Sequence, residues 1–184
     1  MTKLLRLSNG IDCFLRWIGS ASGILFILLM GTILLDVATR GRGWTNSTKL
    51  QELEWHFHTA LCFLVFAYTM TLDKHVRVEV FRERWSAKTK AAVDLLGLLF
   101  LFLPLCGVAL YYSTFFAMTS FYGGEVSASA TGLSNRWIIK SFQPLAFVLL
   151  LMAGASAFLR RIAEFAGKVE PHDDEHTHVE PTGI

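Results

Sequence analysis

Charged residues along the chain fall into clusters and leave four long uncharged stretches between them. Trp17–Leu35 carries no charge at all, and in Trp55–Leu72 only His56 and His58 can take one up as cations. Leu95–Gly124, the longest stretch, and Ser141–Leu159 are likewise free of acids and bases. A helix that crosses a hydrocarbon core of about 30 Å needs roughly 20 mostly apolar residues, because lipid cannot satisfy exposed backbone polar groups. Each stretch meets that length or comes close. The pattern therefore predicts an all-α integral membrane protein of four transmembrane helices, at about residues 14–38, 49–72, 87–122 and 137–162. The third uncharged stretch, at about 1.5 Å per residue, reaches roughly 45 Å and exceeds a bilayer core. Pro104 lies inside it, removes one helical donor, and predicts a kink at that point.

The segments between the stretches are read from their turn and capping residues. Residues 1–16 form a short amphipathic lead-in. Thr48 and Gln51 resemble a capping box that opens the second helix, with Glu52 and Glu54 in early turns where the helix dipole favours acids. Ser86 is the expected N-cap of the third helix. From Asp73 to Val80, valines alternate with charged residues, a period of two that suits an extended segment at a membrane surface. Phe81 and Trp85 punctuate the basic stretch that follows, so this juxtamembrane segment is amphipathic and suited to lie among lipid headgroups. The run from Ser127 to Gly132 has no apolar periodicity and reads as a loose external loop. Gly19 and Gly23 form a GxxxG pair, a candidate for close helix packing in lipid. Residues 1–168 are expected to form one four-helix membrane domain. Residues 169–184, acidic and rich in His, are expected to be a disordered cytoplasmic tail.

Composition supports the same class. Of 184 residues, 53% are hydrophobic and 17% charged, against about 25% charged in ordinary soluble domains. The mean hydropathy is +0.44. Four such helices cannot be covered by the polar chain that remains, which excludes a soluble domain. Lys3 and Arg6 precede the first stretch, but that stretch is longer than the apolar core of a signal peptide, usually about 7–15 residues, and it is read as a retained helix. Of the 17 Lys and Arg, twelve fall in the N-terminal, middle and C-terminal segments and five in the first and third loops. Lys and Arg accumulate on the cytoplasmic side, so both termini are expected to be cytoplasmic and the protein multi-pass.

Candidate chemistry is sparse. Asp36, Glu52, Glu54, Asp73 and Asp94 all lie near helix ends, and the centres of the stretches carry no acid or base. Carriers and pumps keep polar groups or broken helices near the midplane, so the chain is read as carrying nothing by itself and as no enzyme. The cysteines, Cys13, Cys62 and Cys106, form no CxxC pair, and no metal or cofactor is expected. A membrane anchor of a respiratory enzyme, the alternative reading, wants haem-ligating histidines on two facing helices, whereas only the second helix carries any. Arg40 closes the first helix in the compartment where Glu52 and Glu54 open the second, which predicts an ion pair between these ends. His75, Arg77 and Glu79 are candidates for a docking surface. Nothing suggests nucleic acid as a partner.

Glu52-Leu53-Glu54-Trp55-His56, then Ala67-Tyr68-Thr69-Met70, then Asp73-Lys74-His75-Val76-Arg77-Val78-Glu79-Val80-Phe81 resembles the small membrane subunit, DctQ-like, of tripartite ATP-independent periplasmic (TRAP) transporters. The family's HVRVD-type stretch is matched with Glu79 in place of the commoner Asp, which keeps the carboxylate. Gly132-Leu133, Arg136-Trp137-Ile138-Ile139-Lys140 and Pro144 resemble the family's lead into its fourth helix. The likeness covers about residues 10–165 and is greatest to the branch associated with mannitol or chloroaromatic compounds. It implies a non-catalytic scaffold for a large, sodium-coupled, elevator-type membrane subunit. It also implies a second partner, a periplasmic substrate-binding protein that delivers organic acids, together with the surrounding membrane lipid. On that reading Arg40, Glu52, Glu54, His75, Arg77, Glu79, Arg136, Trp137 and Lys140 are interface or structural residues.

Overall fold

The structure, a computed structural model, describes residues 2–41, 48–72 and 85–165. Every regular element among them is helical. Helix α1 spans Thr2–Gly41 and α2 spans Thr48–Thr71. The third rod, α3, is built from Ala87–Gly97, a π-helical turn at Leu98–Phe102, and Leu103–Tyr122. Helix α4 spans Trp137–Phe165. Three of the four, α1, α3 and α4, are long and apolar enough to cross a membrane. Helix α2 has the length but not the composition, because Glu52, Glu54, His56 and His58 make its first turns polar.

The expected start of the first helix at about residue 14 is corrected to Thr2. The lead-in continues α1 as helix, and two of its polar residues turn inward against α4. Ser8 and Asp12 are both buried. The Ser156 hydroxyl donates to Asp12 Oδ1 at 2.6 Å and lies 2.7 Å from Ser8 Oγ. Arg160 Nε donates to Ser8 Oγ at 2.9 Å, and the guanidinium forms an ion pair with Asp12. One turn of α4 thus satisfies the polar groups that this end of α1 buries, which is the condition for burying them at all. The neighbouring Arg161 reaches the other way, to Asp94 of α3 at 3.2 Å.

Helix α4 is the centre of the bundle. It packs against α1, α2 and α3, and α1 packs along α2, while α2 and α3 make no substantial contact with each other among the described residues. Its buried stripe, Ala146, Leu149, Ala153, Ser156 and Ala163, recurs at the spacing of one helical face. The residues are mostly small, which lets helices approach closely where no hydrophobic driving force exists. Leu149 and Ala153 meet Leu15 and Ala67 in the core, with Ile11, Ile18, Leu64, Met70 and Met152 around them. Outward faces are apolar instead, as at Ile24, Ile27 and Leu34 of α1 and Leu101, Leu105 and Phe115 of α3.

Two expectations about single residues resolve here. The GxxxG pair separates: a side chain at Gly19 would overlap the ring of Tyr68, whereas Gly23 has nothing within 4 Å. Of the two, Gly19 sits where α1 and α2 come together. At Pro104 the irregularity takes the form of the π turn, in which the Leu103 amide donates to the Leu98 carbonyl. Proline has no N–H for the ordinary bond to Phe100, and the turn before it widens. Ser86 caps this rod as expected, accepting from the Thr89 amide at 3.2 Å. The extended and amphipathic reading of residues 73–84, with His75, Arg77 and Glu79, lies outside the described residues, as does the tail beyond Phe165.

Replacing Gly19 with leucine is expected to cost about 1–3 kcal/mol through overpacking against Tyr68, while Gly23→Leu should be close to neutral. Thermal unfolding of the purified chain in detergent micelles checks both, and equal shifts would contradict the assigned packing.

Candidate functional site

The sequence-predicted residues Glu52, Arg136, Trp137 and Lys140 converge at one end of the bundle, where α2 begins, α3 ends and α4 begins. They converge through the α3–α4 connection, residues 123–136, which is folded down onto α2. Glu52 holds it with both carboxylate oxygens. Oε1 accepts from the Ser127 hydroxyl, and Oε2 accepts from the Leu133 amide at 2.6 Å. The connection also bonds to itself: the Ser127 amide donates to the Leu133 carbonyl at 3.1 Å, and the Gly132 amide to the Ser129 carbonyl at 3.0 Å. Thr131 Oγ1 donates to Thr48 Oγ1 at 3.2 Å. A side chain at Gly132 would collide with Ser127 and Glu52, so glycine there lets the backbone close over the carboxylate. Gly124 and Asn135, with φ of 56° and 62°, make the left-handed turns at the two ends, a conformation that Gly and Asn accept most readily. The expectation of a loose loop is therefore corrected. Its lack of apolar periodicity reflects polar anchoring, not freedom.

A second clamp fastens the base of the connection. Lys140 forms an ion pair with Glu125 and lies 3.9 Å from the centre of the Phe116 ring. The Arg136 amide donates to the Glu125 carbonyl at 3.2 Å. Trp137 stacks edge to face on Phe121, centroids 5.1 Å apart, closing α4 against the end of α3. The Glu125 carboxyl is held below its ordinary value of 4.5, first by its hydrogen bond from Lys140 and further by the charges of Lys140 and Arg136.

Beneath the connection runs a groove of about 260 Å³. Its floor is Arg136, the last residue of the connection, with one stripe of α4, Ile139, Lys140 and Gln143, and its first wall is one stripe of α2 from Glu52 through His56 and Thr59 to Phe63. Phe116 of α3 forms the opposite wall. Positions spaced by three, four and seven share a helix face, so these polar side chains are aligned by register alone. His56 Nδ1 donates to the Glu52 carbonyl at 2.6 Å, which turns its other nitrogen away from its own backbone. His58 is exposed elsewhere on α2, beside Cys62 at 3.8 Å.

The predicted tie between Arg40 and Glu52 or Glu54 is not formed among the described residues. Arg40 pairs instead with Asp36, one turn back on its own helix, and Glu52 is committed to the connection. A local i, i+4 partner costs less chain entropy to engage than one across a turn. Sequence reasoning missed Glu125 and the anchoring roles of Ser127 and Leu133, which sit in a stretch without apolar periodicity. It also missed Ser8, Asp12 and Ser156. The short spacing of Glu125 and Lys140 across a Gly-rich turn was the one available signal.

Glu52→Ala is expected to release residues 127–133, raising their proteolytic cleavage several-fold while the helices stay intact; limited digestion in micelles checks it. The Glu125–Lys140 clamp adds a pH dependence. Its carboxyl has a lowered folded pKa, so the contribution is complete above about pH 4.5 and disappears as pH falls through the lower folded value. Pepsin cleavage at the connection should therefore rise more steeply toward strongly acidic pH in the wild type than in Glu125→Gln, which lacks this carboxyl and keeps that of Glu52.

No curated protein and no solved structure matches this chain. A family model does match: tripartite ATP-independent periplasmic transporters, DctQ component, over residues 29–164. The matched segment holds α2, α3, nearly all of α4 and both sides of the Glu52 anchor. On that match the chain belongs to the DctQ family, the small membrane component of TRAP transporters.

Proposed function

We propose that this chain is the non-catalytic small subunit of a sodium-coupled TRAP transporter for organic acids. All four helices span the bacterial inner membrane, with both termini in the cytoplasm. It serves as the immobile scaffold of a large elevator-type subunit, and its 123–136 connection, held rigid by Glu52, receives the periplasmic substrate-binding protein.

The observation that carries this reading is the distribution of polarity. Ion pairs and buried hydrogen-bond networks gather at the two ends of the bundle, around Asp12, Arg160 and Arg161 at one and Glu52, Glu125 and Lys140 at the other. Between them the helices meet through small and apolar residues. A solute pathway needs polar footholds near the midplane, whereas a scaffold needs stable ends and apolar sides. Helix α2 completes four spans on this reading, because Glu52 and His56 of its polar first turns face the groove and the connection. Twelve of the 17 Lys and Arg lie on the side given to the cytoplasm, in keeping with the positive-inside rule. Val126, Thr131, Ser134 and Asn135 stand exposed on the anchored connection and offer a preorganised surface, which lowers the entropic cost of docking. Likeness to the mannitol and chloroaromatic branch sets the first compounds to try.

Uptake into proteoliposomes tests the proposal, with this chain, the large subunit and the binding protein each omitted in turn. Solute should accumulate only with all three and a sodium gradient. Transport by this chain alone would overturn the reading. Glu52→Ala should leave the two membrane subunits copurifying but lower the apparent affinity for the binding protein by about tenfold, equivalent to about 1.4 kcal/mol.

A further inference from the structure

We propose that the groove beneath the 123–136 connection holds the phosphate group of a membrane phospholipid. The lipid enters sideways between α2 and α3, and its acyl chains leave the same way. The proposal rests on the groove and on the membrane location of the helices, and it is independent of what the transporter carries.

Shape comes first. Helices α2 and α3 both pack on α4 and scarcely on each other, so the groove is open along its side as well as under the connection. The flanking rings are exposed, Trp55 at 70% and Phe116 at 49%. In a membrane that side faces lipid. The volume of about 260 Å³ is below the roughly 300–1,000 Å³ of pockets for drug-sized ligands. It takes a headgroup phosphate and leaves acyl chains outside, along the apolar rings.

Polarity is graded along the same path. Glu52, Arg136 and Lys140 stand at the outer end, Thr59 and Gln143 deeper, and Phe63 deeper still. At about 1.5 Å per residue, Glu52 and Phe63 are separated by roughly 16 Å. That grading follows a phospholipid from headgroup to chain. Thr59 and Gln143 bared to acyl chains would be costly, and a phosphodiester oxygen relieves that cost by accepting from them.

Charge decides the sign of the ligand. Lys140 is engaged by Glu125 and the Phe116 ring. The one acid among the described lining residues, Glu52, has both oxygens occupied by Ser127 and Leu133. The Arg136 guanidinium makes no hydrogen bond or ion pair among the described residues, although the field of Glu52 and Glu125 reaches it. Helices α2 and α4 both begin at this end, and their amino termini add partial positive charge. Glu52 and Glu125 offset the two cations in net charge, so an oxyanion is drawn by the uncommitted Arg136 donors and the two helix starts. Arginine holds a phosphate with two parallel donors.

The test uses the full chain, purified in detergent micelles, stripped of lipid and titrated with phosphatidylglycerol, with bound lipid counted by native mass spectrometry. The wild type should keep one phosphatidylglycerol under conditions that remove all others. Arg136→Gln should weaken its retention at least about tenfold. Thr59→Phe fills the groove without touching the arginine and should do the same, so it decides the question if Arg136→Gln does not fold. Millimolar inorganic phosphate should not displace the lipid. Equal retention by wild type and a folded variant would overturn the proposal. So would displacement by inorganic phosphate, which would assign the site to a free anion. Loss of the lipid on binding the large subunit would likewise overturn it, giving the groove to a protein segment.

Discussion

Everything in this bundle depends on α4 having a neighbour on each side and a polar fastening at each end. Among the described helices it is the one that packs on all the others. At one end Arg160 draws in α1 through Asp12, and Arg161 draws in α3 through Asp94. At the other, Lys140 pulls the α3–α4 connection inward through Glu125. Adjacent arginines on a helix point about 100° apart, so two consecutive residues can reach two different partners. In lipid, apolar contact between helices has no water to escape from, and packing and hydrogen bonds must fix their arrangement. The small-residue stripe from Ala146 to Ala163 provides the first, and the end clamps provide the second.

The sequence is legible wherever one helix decides its own limits. Gaps between charges locate α2, α3 and α4 closely, and Ser86 marks a start because an N-cap is a local event. It is less legible where a partner decides. Residues 1–16 read as an amphipathic lead-in, and nothing local marks Ser8 and Asp12 as inward-facing. They become interior through Ser156 and Arg160, which lie near the other end of the chain. Arg40 has two acids to choose from, and proximity along the helix favours Asp36. Gly19 and Gly23 are chemically identical in the sequence, and it is Tyr68 that distinguishes them. The candidate site divides the same way. Glu52, Arg136 and Lys140 stand out as charges beside apolar runs. Their counterpart in shape, the backbone of Leu133, carries no chemical mark at all.

This end is thus built from two carboxylates, Glu52 and Glu125, and one cation, Lys140, that do structural work before any partner arrives. Glu52 turns a polar connection without periodicity into an ordered cap over the start of α2. The cap and the groove beneath it are made from the same few residues, so a change to Glu52 alters the surface above and the cleft below together.

The π turn at Leu98–Phe102 sets the azimuth of the upper part of α3. One extra residue in the turn displaces everything above by about 100° around the axis relative to an uninterrupted helix. With it, the Phe102 ring lies in the space that Gly154 leaves open, and Cys106, Ser113 and Ala117 face α4. Without it, bulky neighbours would swing toward α4, and the rings of Tyr111, Phe115 and Tyr122, now exposed, would turn together to a different heading. A single insertion thus works as the indexing notch of a shaft, choosing which aromatic flank the rod offers to its surroundings.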